Sequence, residues 1–148
     1  MRALIQRVKE SGVSINGSLH NKIGKGLLIL LGIKQGDTES NSEYLAQRCA
    51  NLRIFEDAEG KMNISVKDIV GEVLVISQFA LYADTRKGNR PSFTDAAPPE
   101  IAEPLYDSFV NNIRREIGNE NVKTGVFRAM MDVNLVNDGP VTVIIESK

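Results

Sequence analysis

The sequence is poor in the side chains that most often carry catalysis, with one histidine, one cysteine and no tryptophan among its 148 residues. A single thiol excludes an internal disulfide framework, and the stretch YLAQRCANL favours Cys49 as an apolar core residue of a helix. The single imidazole, His20, lies beside a predicted hairpin, and we interpret it as a surface side chain. Because the two residues are far apart in sequence, neither a Cys–His pair nor a set of metal ligands is indicated. We therefore expect no metal and no cofactor.

Long apolar runs and an excess of charge are missing as well. The longest apolar run, GLLILLGI, has the length of a strand and falls short of the ~18 residues of a membrane helix. Gln6, Arg7 and Lys9 interrupt the N-terminal segment, which argues against a signal peptide. The net charge of −1 excludes a broad basic surface for nucleic acid, although a local patch can still bind an RNA end. These features favour a cytoplasmic protein without a membrane partner.

The strand and helix patterns predict one domain over residues 1–148. Many short strand patterns and only two helices predict a compact, barrel-like α/β domain with a largely antiparallel sheet. Asn16-Gly17 predicts a hairpin turn, and Ser11-Gly12 before it predicts an interruption between two strands. The second helix is expected to begin at Pro98-Pro99 and to be broken or delayed by Pro104. Its apolar stripe is expected at Ile101, Leu105, Phe109 and Ile113.

Two segments in the second half of the chain are candidates for a site. Ser77-Gln78 ends an apolar strand pattern, which is either a strand end emerging into solvent or a pocket floor where short polar groups converge. A nucleophilic Ser77 is the weaker version of the second interpretation, because no histidine can be assigned to activate it. The stretch DTRKGNRPSF holds Arg86, Lys87 and Arg90 near Phe93. This cluster is either a solvated loop or a patch for a phosphate backbone with exposed bases.

A third candidate is Asn-Asp-Gly-Pro at 137–140, between two runs of strand-forming residues in LVNDGPVTVII. Taken alone it is typical of a turn, since proline lacks an N–H and suits the start of a strand. The functional interpretation is that Gly139 lets a ligand approach the backbone closely. A Gly-Pro bond can also be cis at low cost, which would hold the neighbouring carbonyls rigidly in an unusual direction. The residues alone leave both interpretations open.

Four segments, in the same order along the chain, closely resemble the D-aminoacyl-tRNA deacylases: MRALIQRV, NLRIFEDAEGKMN, SQFALYADTRKGNRPSFTDAAPPE and LVNDGPVT. The resemblance covers essentially the whole chain. It implies a homodimer of compact barrel-like domains that hydrolyses the ester between a D-amino acid and the 3′-terminal adenosine of tRNA. It also implies removal of glycine from mischarged tRNA. The expected partners are therefore the acceptor end of aminoacyl-tRNA and a second copy of the chain.

The same resemblance implies the site residues. The catalytic pocket would be formed by Ser77, Gln78, Phe79 and Ala80. Gly139 and Pro140 of the partner subunit would reach into it as a Gly-cis-Pro motif and bind the substrate. Arg7 would hold that motif in place, and Met131 would line the pocket. The tRNA-binding residues would be Arg86, Lys87 and Arg90.

The chain departs from the family at Ala80, where threonine is usual. Alanine cannot be a nucleophile, so either the protein is impaired or a hydroxyl is not required there. We favour the second, because the backbone N–H of residue 80 can still stabilise an oxyanion. Met130, Asp132 and Asn134 also differ from common family residues, and we expect them to change only the polarity of the pocket rim. A related deacylase branch has Pro-Gln in place of Ser-Gln and a trans Gly-Pro bond, and Ser77 argues against that branch.

The implied mechanism needs no reactive side chain. Rigid carbonyls of Gly139 and Pro140 would occupy the space that an L side chain needs, so that D-amino acids and glycine are accepted. Water would attack the ester with help from the 2′-hydroxyl of the terminal ribose. Two alternatives from other classes remain: a module that binds RNA ends without turnover, and a structural dimer whose Gly-Pro corner seals the interface.

Overall fold

The computed structural model describes residues 1–148. The strands are β1 (Arg2–Ile15), β2 (Ser18–Ile23), β3 (Gly26–Gly32), β4 (Phe55–Glu56), β5 (Met62–Ile64), β6 (Glu72–Ser77), β7 (Val122–Thr124) and β8 (Asp132–Glu146). The helices are α1 (Glu39–Ala50) and α2 (Pro99–Ile117), with 3₁₀ turns at Phe79–Tyr82 and Asn119–Asn121. Neither helix combines the length and the apolar character that crossing a bilayer requires.

Strand β1 is the hub of the sheet, because three other strands hydrogen-bond to it. β3 pairs with its first half and β2 with its second half, while β8 runs antiparallel along the other side of both halves. β3 continues the sheet through parallel pairs to β6 and then β7. The Asn21 side chain of β2 donates to the carbonyl of Thr124 in β7 at 2.6 Å, so the two ends of the sheet meet. The barrel-like, largely antiparallel α/β fold with two main helices is therefore confirmed.

The two faces of the sheet differ in what covers them. Side chains alternate between the faces along each strand. Helices α1 and α2 pack over one face, where residues such as Ile5 and Val75 join a main core of 24 buried residues. Leu28, Leu74 and Ile76 point to the other face and belong to a smaller cluster that contains no helix residue. We call these the helix-covered face and the open face.

Helix α2 runs unbroken through Pro104, so the break expected there is wrong. Pro104 is the sixth residue of the helix, and the single bond it removes is the one its N–H would donate to the carbonyl of Glu100. Both residues are exposed, so that carbonyl can bond to water instead. The predicted apolar stripe is buried except at Ile101, which is exposed while its neighbour Ala102 is buried.

Strand β1 also runs through Ser11-Gly12, so the predicted interruption is wrong. Both residues pair with β2 on one side and with β8 on the other. The Ser11 hydroxyl donates to the carbonyl of Asn134 at 2.9 Å, so strand pairing overrides the weak strand propensity of Ser-Gly. The hairpin at Asn16-Gly17 is confirmed, and both residues have the positive φ, 52° and 77°, that a type I′ turn requires.

Candidate active site

A cavity of about 880 Å³ lies on the open face, between the sheet, the segments that follow β6 and β7, and the first turn of α2. Its walls are mainly apolar. The polar side chains among them are the amides of Gln6 and Gln78, the hydroxyl of Ser77 and the guanidinium of Arg128. Concave apolar cavities with a few convergent polar groups are the usual form of a small-ligand site. We therefore treat this cavity as the candidate active site.

Strand β6 brings Ser77-Gln78 to the cavity. The strand ends at Ser77, and the Gln78 N–H donates to the carbonyl of Leu31 in β3 at 2.8 Å. The chain then turns into the 3₁₀ turn that begins at Phe79. Both polar residues are half-buried in the cavity wall, so this strand end does not emerge into open solvent.

Two aromatic rings stand at the mouth of the cavity. The centroids of Phe79 and Phe93 lie 4.9 Å apart with the rings at 72°, an edge-to-face contact. The two residues line the cavity yet are 58% and 39% exposed. Ala80, next to Phe79, is half-buried in the 3₁₀ turn and is not part of the cavity wall. Its methyl group therefore adds nothing to the lining.

Met131 lines the cavity between β7 and β8, where it packs beside Val133 and Leu135 against the smaller cluster. Its neighbour Met130 also lines the cavity but is 89% exposed. The segment before β8 thus supplies one half-buried and one exposed thioether to the cavity wall.

Gly139 and Pro140 do not form a corner between two strands, because β8 continues through them. β8 pairs with β1 up to residue 137 and again from residue 142, so residues 138–141 stand opposite Arg7 alone. These four residues form a bulge, which we call the Gly-Pro bulge. The Gly139-Pro140 peptide bond is cis, and both residues are exposed. Neither residue lines the cavity of its own protomer.

Arg7 holds the Gly-Pro bulge through a hydrogen bond and an ion pair to Asp138. Its side chain is buried, with Nε donating to the carbonyl of Asp138 at 3.0 Å and Nη1 to the carbonyl of Ile54 at 2.6 Å. The Asp138 carboxylate lies 3.4 Å from Nε and balances the buried charge. A Cβ placed on Gly139 would lie only 3.1 Å from Nη2 of Arg7. Arg7 therefore contacts the bulge directly within one protomer and leaves no room for a side chain at residue 139.

Asn137 closes the base of the bulge, a role that sequence reasoning missed by treating it only as a turn residue. Its Oδ1 accepts the N–H of Val141 at 3.0 Å, and its Nδ2 donates to Oγ1 of Thr142 at 3.1 Å. The same Thr142 oxygen accepts from Nε2 of Gln6 at 3.3 Å. A short asparagine side chain that bonds nearby backbone is the signal that could have identified this residue.

The three basic residues of the loop at 84–95 are not equivalent. Arg86 donates through Nε and Nη2 to the carboxylate of Asp84 at 2.9 and 2.8 Å. These hydrogen bonds lower the pKa of Asp84 to about 2. Lys87 and Arg90 are exposed and take part in none of the seven ion pairs. Of the loop residues, Phe93 connects this cluster to the cavity wall, and two of the three cations are free to meet a phosphate.

The cavity holds no side chain that could serve as a general base. Its single ionisable residue is Arg128, which sequence reasoning did not select. His20 is exposed on β2, as predicted. Cys49 is buried in the main core, as predicted, and burial raises the pKa of its thiol far above the usual range. Chemistry in this cavity therefore depends on backbone groups and on the groups that a substrate brings.

Comparison with known proteins agrees with this combination of fold and pocket. The family model described as D-Tyr-tRNA(Tyr) deacylase matches residues 4–146. Proteins named D-aminoacyl-tRNA deacylase from Porphyromonas gingivalis and Chlorobaculum tepidum are 58% and 56% identical to this chain over 147 residues. Each alignment covers 99% of this chain and 97% of the relative. The chain belongs to the D-Tyr-tRNA(Tyr) deacylase family, which confirms the resemblance carried by the four segments.

Two solved structures share the fold. The c-Myc DNA Unwinding Element Binding Protein superposes with a TM-score of 0.95 at 42% identity, covering 100% of this chain and 99% of that one. A probable eukaryotic D-amino acid tRNA deacylase superposes with a TM-score of 0.83 over 98% of each chain. At 17% identity, this second likeness shows the fold alone.

Proposed function

We propose that this protein hydrolyses the ester joining a D-amino acid to the 3′-terminal adenosine of tRNA, releasing free tRNA and the D-amino acid. The observation that carries the proposal is the cavity on the open face, where Ser77-Gln78 meets apolar walls without any acid–base side chain. Family membership points to the same reaction. A volume of about 880 Å³ is within the range of ligand pockets and suits an aminoacyl-adenosine. The working compartment is the cytoplasm, where charged tRNA is found.

The active unit is a homodimer in which each subunit completes the site of the other. The open face leaves apolar side chains at the surface, including Ile144 at 59% exposed, and such surface is commonly covered by a partner. β8 hydrogen-bonds to β1 alone, so its other edge is free and its bulge is exposed. In a two-fold dimer the same surface serves both subunits. The Gly-Pro bulge of each subunit can then enter the cavity of the other.

Selection against L-amino acids follows from that arrangement. Arg7 and Asn137 hold the bulge at both ends, so its carbonyl oxygens cannot move aside easily. With the ammonium and the ester carbonyl of the substrate fixed, an L side chain points at these oxygens and a D side chain points away. Rejection by collision does not grip any side chain, so it tolerates many D-amino acids. Glycine has nothing to collide, and glycyl-tRNA is therefore also a substrate.

The reaction is a direct attack by water. The water oxygen bonds to the ester carbonyl carbon, and the carbonyl electrons move to the oxygen. The backbone N–H of Ala80 stabilises this oxyanion, a type of contact that lowers the barrier by ~2.7–4 kcal/mol. The intermediate then breaks its bond to the ribose 3′-oxygen, which takes the proton that water lost. The 2′-hydroxyl of the ribose relays that proton, which accounts for the lack of a histidine.

The RNA is held mainly through its phosphates. Lys87 and Arg90 are free to contact the backbone of the acceptor end, whereas Arg86 shapes the loop through its pair with Asp84. The net charge of −1 limits this to a small patch. Phosphate contacts position a nucleic acid without reading its sequence, which suits an enzyme that accepts many tRNAs.

A turnover experiment tests the proposal. Purified protein is incubated with a large excess of D-Tyr-tRNA, L-Tyr-tRNA or glycyl-tRNA, and free tRNA is measured over time. We expect many turnovers on the D-ester and glycyl-tRNA, with the L-ester slower by at least about 100-fold. Stoichiometric protection of the ends without release would instead identify a module that binds RNA ends. An absence of any effect on tRNA would favour the purely structural dimer.

A further inference from the structure

Arg128 is the only charged side chain that lines the cavity. It lies between Phe127 and Ala129, in the short segment that connects β7 to β8. The residue is exposed and takes part in none of the seven ion pairs of the protein. The other polar groups of the cavity wall are neutral amides and a hydroxyl. An unpaired guanidinium at the edge of an apolar cavity therefore sets the charge that a ligand meets there.

The backbone at Arg128 has a conformation that is unusual for a residue with a side chain. Its φ is 64°, in the left-handed region, where glycine fits without penalty and residues with a Cβ are disfavoured. Two other non-glycine residues share such a φ, the hairpin residue Asn16 and Val70, and neither lines the cavity. Strained backbone of this kind tends to occur where a side chain is needed for function. The strain and the free charge thus meet at one residue of the candidate active site.

We propose that Arg128 binds the phosphate that precedes the terminal adenosine of the substrate, and that it orients the substrate in the cavity. The inference rests on the proposed function, since it names the part of the aminoacyl-tRNA end that this residue holds. A guanidinium can donate two parallel hydrogen bonds to phosphate oxygens.

The sign of the charge also fixes the direction of binding. An aminoacyl-tRNA end carries a negative phosphate on one side of the adenosine and a positive ammonium on the amino acid. Arg128 attracts the first and repels the second, so the amino acid is directed away from it and toward the opposite wall of the cavity. This is a role in positioning the substrate, and Arg128 takes no part in the bond rearrangement.

Binding measurements test this without relying on turnover. The probes are two non-hydrolysable amides, 3′-(D-tyrosylamino)-3′-deoxyadenosine with and without a 5′-phosphate. For the wild type we expect the phosphate to tighten the Kd by about tenfold or more. Arg128→Gln should reduce the ratio of the two Kd values to about one, and Arg128→Lys should keep part of it. Arg115→Gln, on the exposed side of α2, is the matched control and should leave the ratio unchanged.

Two further measurements separate the loss of a phosphate contact from a general loss of stability. Arg128→Gly removes the guanidinium but suits the left-handed backbone, so its thermal midpoint should not fall below that of the wild type while the ratio is lost. The dependence of tRNA affinity on salt should also weaken, with the log–log slope smaller by about 0.7 for one lost phosphate contact.

Three results would overturn the inference: wild-type binding without preference for the phosphate, Arg128→Gln that keeps the preference, or equal loss of affinity for both probes. A failure of the proposed function is a separate result. Phosphate preference that depends on Arg128, without hydrolysis of D-aminoacyl-tRNA, supports this binding role and refutes the enzyme.

Discussion

The two faces of one sheet show how the same strands serve stability and function. On the helix-covered face, 24 buried residues form a continuous core with α1 and α2. On the open face, six buried residues form a small cluster, and beside it lie the cavity and exposed apolar groups such as Ile144. Neighbouring residues of a strand point to opposite faces. Val75 therefore packs in the main core, whereas the adjacent Ile76 lines the cavity. The two roles are separated for most residues, although Leu31, Ile33, Ala97 and Ala102 of the main core also line the cavity.

The comparison implies that changes on the two faces have different consequences. A large-to-small change on the helix-covered face leaves a void that the core cannot close, so it lowers stability. The cavity and the exposed Gly-Pro bulge hold fewer buried side chains, so we expect changes there to affect the reaction more than folding.

The largest expected effect is on the helix-covered face, from Phe109→Ala. Phe109 is fully buried in the main core, and its truncation should cost about 3–5 kcal/mol of unfolding free energy. Urea unfolding measures this. Met130→Ala at the cavity rim on the open face is the control, because the side chain is 89% exposed and its loss should cost well under 1 kcal/mol. Equal destabilisation by the two variants would remove the distinction between the faces.

The next effect is on activity, from Gly139→Ala in the Gly-Pro bulge. An added Cβ would lie 2.8 Å from Cγ2 of Val141 and 3.1 Å from Nη2 of Arg7, at a φ of 130° that suits glycine. The bulge must shift, so kcat/KM on D-Tyr-tRNA should fall by at least about 100-fold, or ~2.7 kcal/mol.

Gly60→Ala controls for the backbone strain in that experiment. Gly60 also has a positive φ, 75°, but a Cβ there meets nothing within 4 Å. Its activity should match that of the wild type after correction for the folded fraction. A Gly139→Ala enzyme as active as the Gly60→Ala enzyme would show that the bulge has no role in the reaction.

The smallest expected effect comes from Ala80→Thr, which restores the residue common in the family. Residue 80 lies outside the cavity wall, and its contribution is attributed to the backbone N–H. Single-turnover rates on D-Tyr-tRNA should therefore change by less than about twofold. A large gain would show that a hydroxyl at this position takes part in the chemistry and that the wild-type chain is impaired.

Much of the fold follows from local patterns in the sequence, and the failures have a common cause. The hairpin at Asn16-Gly17 and the apolar stripe of α2 depend on neighbouring residues, and both were predicted almost completely. Ser11-Gly12 and Pro104 were expected to interrupt their elements, but both elements continue. In β1 the pairing of both edges compensates for poor propensity, and in α2 the lost hydrogen bond falls on an exposed carbonyl. Such compensation comes from distant parts of the chain and has no local signal.

In the candidate active site, too, some features could be predicted from the sequence and others depend on distant parts of the chain. Ser77-Gln78 was selected from the residues and Met131 from the family resemblance, and the structure brings them into one cavity. The residues alone could not separate a turn at Gly139-Pro140 from a functional element, because the bulge is defined by its contact with Arg7, and Arg7 and Asp138 are 131 residues apart along the chain. Arg128 was missed, since a lone arginine in an apolar segment has no motif. Its importance comes from a cavity and a backbone angle that only the folded chain reveals.

Mixing two inactive variants tests the central claim, that each cavity is completed by the Gly-Pro bulge of the partner subunit. Gly139→Ala disables the bulge, and Ser77→Phe fills the cavity with a ring. Neither homodimer should hydrolyse D-Tyr-tRNA. A co-refolded equimolar mixture should recover about a quarter of wild-type activity, since half of the dimers are mixed and each mixed dimer has one site with an intact cavity and an intact bulge. Activity that stays at the sum of the separate variants would contradict the account and place the bulge outside the neighbouring site.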